Sequence, residues 1–312
     1  MKKSIVFILL LATNFINCYA CSFYPYGEQV RIHFLSIDNF DCYSFSEFNY
    51  SSESFYPADI YRSNDTQPND KLWFNYCKEK VPIHEIAEAV YSIEPANFNV
   101  QNTNEMIQYL FQQNDTDAIN YLLFAKSCEK GNMFYSDPWE KKKAMNAVVF
   151  KCKIQNAVDL SNNSNNEMLA LRYKFLAIRL AFYSREHDEL LKIYNSIPAT
   201  ANKNILHYWS MYFRAIIESD SSLRSYYAAQ VFANAPDKRF AIFRSFSKNI
   251  DINYILQHAQ NKEEIANIYG LSAIYIKDRA LETIKKSEAN NLNEKFLNFL
   301  LLREVNKIED WV

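Results

Sequence analysis

Glycine is the scarcest informative residue in this 312-residue chain: only Gly27, Gly131 and Gly270 occur. Sandwiches, barrels and doubly wound folds spend glycine freely in turns and phosphate loops, so helices joined by short polar turns are the expected architecture. Three distant glycines also exclude a glycine-rich phosphate loop and a Gly-x-Ser-x-Gly nucleophile elbow. A basic excess is missing as well, with a formal charge of −2, so nothing predicts a nucleic-acid partner. The one dense basic run, Lys141-Lys142-Lys143 followed by Lys151 and Lys153, reads as a solvated helix face.

Metal-ligand spacing is absent. His84-Glu85 begins like a zinc-protease helix, but the position four after His84 is Glu88, where a second histidine is required. His33, His187, His207 and His258 are scattered. Neither a metal nor a cofactor is expected, and no residue is singled out as catalytic. A pair of carboxylates brought together only by folding is invisible in a sequence.

Long apolar runs are also lacking. The longest, Ile5 to Ala12, falls far short of the roughly 20 residues that span a bilayer. Preceded by Lys2 and Lys3 and followed by Cys18-Tyr19-Ala20, it has the layout of a secretory signal peptide over 1–20. Removing those two lysines takes the formal charge from −2 to −4. Cys21 would then be the first mature residue, the position where a bacterial lipoprotein carries its lipid; of the residues before it only Ala20 fits that pattern. Lipidation at Cys21 and plain release both stay open. Cys42, Cys77, Cys128 and Cys152 complete the mature set, as bridges in one of three pairings or as buried free thiols.

What is present divides the remainder. Residues 21–66 are crowded with rings, among them Phe23, Tyr24, Phe34, Tyr50 and Tyr56, without helical spacing, and Val30, Ile32 and Phe34 alternate like a short strand. This segment reads as an irregular aromatic-rich arm over the following helices, with a platform for sugar rings as the alternative. Residues 67–312 read as an α-helical repeat domain. Helix starts are marked by Asp137-Pro138-Trp139-Glu140, Ser164-Asn165-Asn166-Glu167 and Asn261-Lys262-Glu263-Glu264, and more weakly by Asn102, Asp115 and Asn202.

The 167–185 helix is apolar nearly all round, leaving Arg172 and Arg179, seven apart, on its one polar stripe. Such a helix is buried by neighbours on more than one side. Further helices are expected at 186–196, 203–219, 221–234, 237–248, 262–276, 278–288 and 293–310. Short turns at Ser219-Asp220 and Lys277-Asp278 imply antiparallel packing. Pair starts near 164, 203 and 237 recur at roughly the tetratricopeptide period, with Tyr208, Tyr212, Ala215, Ala228 and Pro236 near its large, small and proline positions; its Leu-Gly pair is missing. The fold class is therefore all-α, an array of antiparallel helix pairs resembling a tetratricopeptide solenoid.

Asn120 to Lys126, Asp137-Pro138-Trp139, Arg172 to Tyr183, Ala228 to Pro236 and Leu302 to Trp311 resemble an uncharacterised family of exported helical-repeat proteins of Bacteroidota-type bacteria. The resemblance implies a tetratricopeptide-like array and export, and carries no activity. Relatives of that kind continue beyond the Glu-Asp-Trp segment, so the apolar last helix, with Phe296, Phe299 and Leu300, either folds back or meets a further partner or segment. The expected function is a non-enzymatic periplasmic or cell-surface binding protein that presents a helical groove to a protein partner. A glycan-binding surface lipoprotein of a nutrient-uptake system is the second reading and an unrecognised hydrolase the third.

Overall fold

A computed structural model describes residues 67–129, 147–198 and 203–310, with the side chains of 309 and 310 excepted. The aromatic arm, Cys21, Cys42, His33, the Lys141 run and the Asp137 cap lie outside the described residues. Within them every regular element is helical, in fourteen α-helices with short π and 3-10 turns and no strand. The helices are α1 (Pro68–Tyr76), α2 (Ile83–Ala87), α3 (Glu105–Gln112), α4 (Thr116–Ser127), α5 (Ala147–Asn163), α6 (Glu167–Tyr183) and α7 (His187–Asn195). They continue as α8 (Ile205–Ile217), α9 (Ser221–Asn234), α10 (Arg239–Phe243), α11 (Ile252–Leu256), α12 (Lys262–Tyr275), α13 (Leu281–Glu288) and α14 (Glu294–Asp310). Among the described residues, no helix is long and apolar enough to cross a membrane.

Local chemistry explains the starts. Asn104, Asp115, Asn166, Asn204, Asp220, Asp251 and Asn261 each precede a helix and accept a hydrogen bond from its first free amides, satisfying donors that the helix itself cannot. Asp115 and Asn261 act as expected. For α3 and α6 the cap sits two residues later than expected. Asn104 and Asn166 cap, while Asn102 Oδ1 and Ser164 Oγ accept the amides of Asn104 and Asn166 themselves. For α8 the cap is Asn204; Asn202 lies outside the described residues.

Glycine poverty has a visible consequence at the helix ends. Lys78, Asn114, Arg185 and Asn291 occupy left-handed backbone at φ 54°, 53°, 63° and 65°. Each closes its helix with the paired backbone bonds of a Schellman turn, as in Glu186 N to Ala181 O at 2.9 Å and Arg185 N to Phe182 O at 3.0 Å. Glycine is the usual occupant there, because a side chain in this region is strained.

One expected helix is shorter than its pattern. The 237–248 stretch is a 3-10 turn followed by α10, which stops at Phe243. The Tyr275 hydroxyl donates to the Phe243 carbonyl. The Ser247 amide, which would have used that carbonyl to extend the helix, donates instead to Ser225 Oγ at 2.9 Å.

Three apolar cores follow one another along the chain. The first joins Trp73, Ile86, Met106, Leu110 and Leu122 to Leu169 and Tyr173. The second gathers Ile154, Leu176, Leu180, Leu190, Leu206 and Phe213. The third holds Met211, Phe232, Ile242, Leu271, Phe296 and Phe299. Helix α6 serves the first two and α8 the last two. As the all-round apolar pattern predicts, α6 buries ten residues and packs against α4, α5, α7 and α8. Helices α8 and α9 pack as a pair, as do α12 and α13.

The last helix folds back onto α12 and α13. Its Arg303 donates to the carbonyls of Ile274 at 2.6 Å and Ile276 at 3.3 Å, and Lys307 to those of Ile276 at 2.9 Å and Asp278 at 2.8 Å. Both cations are buried. They neutralise the carbonyl end of α12, where orphan acceptors and the helix dipole favour positive charge. Cys77 and Cys128 are buried free thiols and Cys152 an exposed one; burial pushes the Cys77 thiol up to about 11. No bridge joins any two of these three.

Candidate functional site: a cavity walled by α1, α4, α6 and α8

The polar stripe of α6 leads to the candidate site. Arg172 is 2% exposed, and its guanidinium lies over the Trp73 ring at 4.0 Å and beside Tyr121 at 5.8 Å from the ring centre. Its Nη1 donates to Asn69 Oδ1 at 2.8 Å, and Asn69 Nδ2 donates to the Tyr91 hydroxyl at 2.9 Å. Nε and Nη2 are buried and have no hydrogen-bond acceptor of ordinary geometry. Burial pulls the Arg172 pKa below its usual value, and Tyr121 is the main group that offsets this.

Asp70, next to Asn69 in α1, is 4% exposed, and its Oδ1 has no hydrogen-bond partner. Burial raises its carboxyl above the ordinary range, against the opposing pull of Tyr91 and of the Arg172 charge. A buried acid and a buried base thus sit in one neighbourhood without forming an ion pair.

Beside them is a cavity of about 400 Å³ whose wall includes Trp73, Tyr121, Arg172, Phe175, Arg179 and Trp209. Leu176 and Leu206 add apolar surface, and Lys126 and Glu129 complete the charged part. The Trp209 ring is anchored by its Nε1 donating to Asp237 Oδ1 at 3.0 Å, and Lys238 lies over it at 5.5 Å. Arg179 lies over Phe175 at 5.8 Å. The i, i+7 spacing seen in the sequence therefore brings Arg172 and Arg179 to one wall. Trp73, Tyr121 and Trp209 come from distant segments and carried no sequence signal.

A larger cavity of about 670 Å³ is lined by α5, α6, Ile197, Pro198 and Asn204, and three of its polar side chains are engaged in holding the fold. Asn166 caps α6, Ser161 Oγ donates to the Ala170 carbonyl at 2.8 Å, and Lys174 donates to the Ser196 carbonyl at 2.8 Å. Ser222 Oγ lies 2.8 Å from His258 Nε2, a nucleophile-and-base contact in form. The nearby acid, Asp220, uses its Oδ1 to accept the Ser222 and Leu223 amides; a catalytic arrangement needs the acid to orient the base. The remaining described histidines stay apart, and among the described residues no three His, Cys, Asp or Glu side chains converge as a metal site.

No family model, curated protein or solved structure matches the chain.

Proposed function

We propose that this chain is an exported, non-enzymatic binding protein whose helix pairs stack in a tetratricopeptide-like array. It holds a segment of a protein partner against the cavity formed by α1, α4, α6 and α8. Export rests on the leader pattern of residues 1–20. The array rests on the pairing of α8 with α9 and of α12 with α13, together with α6 and α8 each serving two cores.

The observation that carries the binding reading is Arg172. A guanidinium removed from water is costly unless all its donors are used, and here only Nη1 has a firm acceptor, while the residue forms part of a cavity wall. Buried aromatic and arginine anchors in well-packed pockets are typical of the residues that dominate recognition. Affinity capture from an envelope extract, comparing the natural chain with its Arg179→Glu variant, tests this. A partner protein retained by the first and lost by the second is expected. Repeated capture of nothing, or equal capture by both, contradicts the reading.

A further inference from the structure

We infer that the cavity beside Arg172 receives a carboxylate, carried by an acidic side chain of an extended partner segment whose neighbouring residues are apolar or aromatic. This rests on the binding-protein reading above and adds the chemistry of what is bound.

The guanidinium has two edges that differ in what they touch. Arginine presents its donors in a planar fork, and the edge formed by Nε and Nη2 matches the two oxygens of one carboxylate. In Arg172 the opposite nitrogen, Nη1, is fixed on Asn69 Oδ1, and the plane is held against Trp73. The side-on edge has no acceptor of ordinary geometry beyond the neighbouring Tyr121, and its two nitrogens are buried, so a carboxylate in the cavity reaches them by displacing the wall side chains that cover them. The edge is also pre-organised, because the stacking and the Asn69 bond leave the group little freedom to lose on binding.

Charge points the same way. Arg172, Arg179 and Lys126 stand in one wall, and Glu129, an exposed residue, is the acid among the described lining residues. Lys126 is tethered to the Val90 carbonyl at 3.1 Å. Neither arginine has an ion pair among the described residues. Asp70, although close enough to feel Arg172, is itself buried and does not pair with it. An incoming carboxylate would supply the missing acceptor, and the amide that replaces it would leave a buried charge unpaired. Discrimination of that kind exceeds what shape alone provides.

The rest of the wall, Phe175, Leu176, Leu206 and Trp209, is apolar. It suits the side chains flanking the acid better than the hydroxyl-rich body of a sugar acid.

The test screens the full processed chain against acetyl- and amide-blocked peptides of random sequence, then titrates the best binder beside its Asp→Asn or Glu→Gln counterpart. The acidic peptide should bind at least about tenfold tighter than its amide. That difference should vanish in Arg172→Met and shrink in Arg172→Lys. Circular dichroism checks that both variants keep their helix content, and Arg179→Gln, expected to weaken the preference, carries the test if Arg172 variants do not fold. Selected peptides that lack an acid, or whose amide forms bind equally well, overturn the carboxylate inference and leave the binding reading standing. Competition by glucuronate with no binding of any acidic peptide overturns the peptide occupant. Failure to select any peptide, with no competition seen, overturns the binding reading itself.

Discussion

Arg172 and Trp73 are stacked, with the guanidinium carbon 4.0 Å from the ring centre, so the middle of α6 is fastened to α1 through a cation resting on an indole face. Trp73 is completely buried and belongs to the first core. Truncating it removes both the packing and the platform. Trp73→Ala should cost about 3–5 kcal/mol in urea unfolding, while Trp73→Phe, which keeps a ring, should cost clearly less. Equal losses would mean that the ring face does not hold the guanidinium.

Asp70 makes stability depend on pH in an unusual direction. Burial raises its folded pKa above the 3.8 of an unperturbed side chain. The folded state therefore prefers the neutral acid. The stabilising preference is fully present below the unfolded value and is lost as pH rises through the raised folded value. Ionising the carboxylate in place, with Oδ1 unpartnered, therefore costs the fold stability. Asp70→Asn, which keeps the shape and removes the charge, should be more stable than the natural chain at neutral pH and lose that advantage toward pH 3. A loss of stability at neutral pH would show that the carboxylate is usefully paired.

Arg185 closes α6 in left-handed backbone at φ 63°. Arg185→Gly should stabilise the protein by about 1 kcal/mol by relieving that conformation, and Asn291→Gly by less, since asparagine tolerates it better. Thermal melts of the two variants provide the check. A destabilised Arg185→Gly would assign its side chain a contact more valuable than the backbone strain.

Gly270 is the point where α12 meets the turn before α14 and α14 itself. A methyl group there would lie 2.9 Å from Phe296 Cε1 and 3.3 Å from Leu292 Cδ1. Phe296 is 2% exposed and has little room to retreat. Gly270→Ala should cost about 1–3 kcal/mol through overpacking. Combining it with Phe296→Leu should cost less than the sum of the two changes, because the second removes the obstruction the first meets. Additive losses would place the strain elsewhere.

Much of this architecture could be read in advance, and the reasons are local. The 3.6-residue periodicity and the Asn or Asp caps are properties of a few consecutive residues, so α6, α9, α12 and α14 lie close to where their patterns put them. The early stop of α10 was not legible: its amides turn to i−3 carbonyls at Ser245 and Phe246, and the groups that then take up the Phe243 carbonyl and the Ser247 amide, Tyr275 and Ser225, belong to other helices. The deep burial of Arg303 and Lys307 was hidden for the same reason: their acceptors are carbonyls of a different helix. For the candidate site, α6 displayed Arg172 and Arg179 on one stripe, which an i, i+7 relation reveals. The rings that complete the cavity wall are Trp73, Tyr121 and Trp209, and only the tertiary packing of α1, α4 and α8 against α6 assembles them.

Hydrogen–deuterium exchange of the full chain, with and without a captured partner, tests the location of binding most directly. New protection should concentrate in residues 68–76, 116–127 and 167–183, the segments of α1, α4 and α6 that surround Arg172. Protection confined to α12, α13 and α14, with those three segments unchanged, would contradict the assignment of recognition to this cavity.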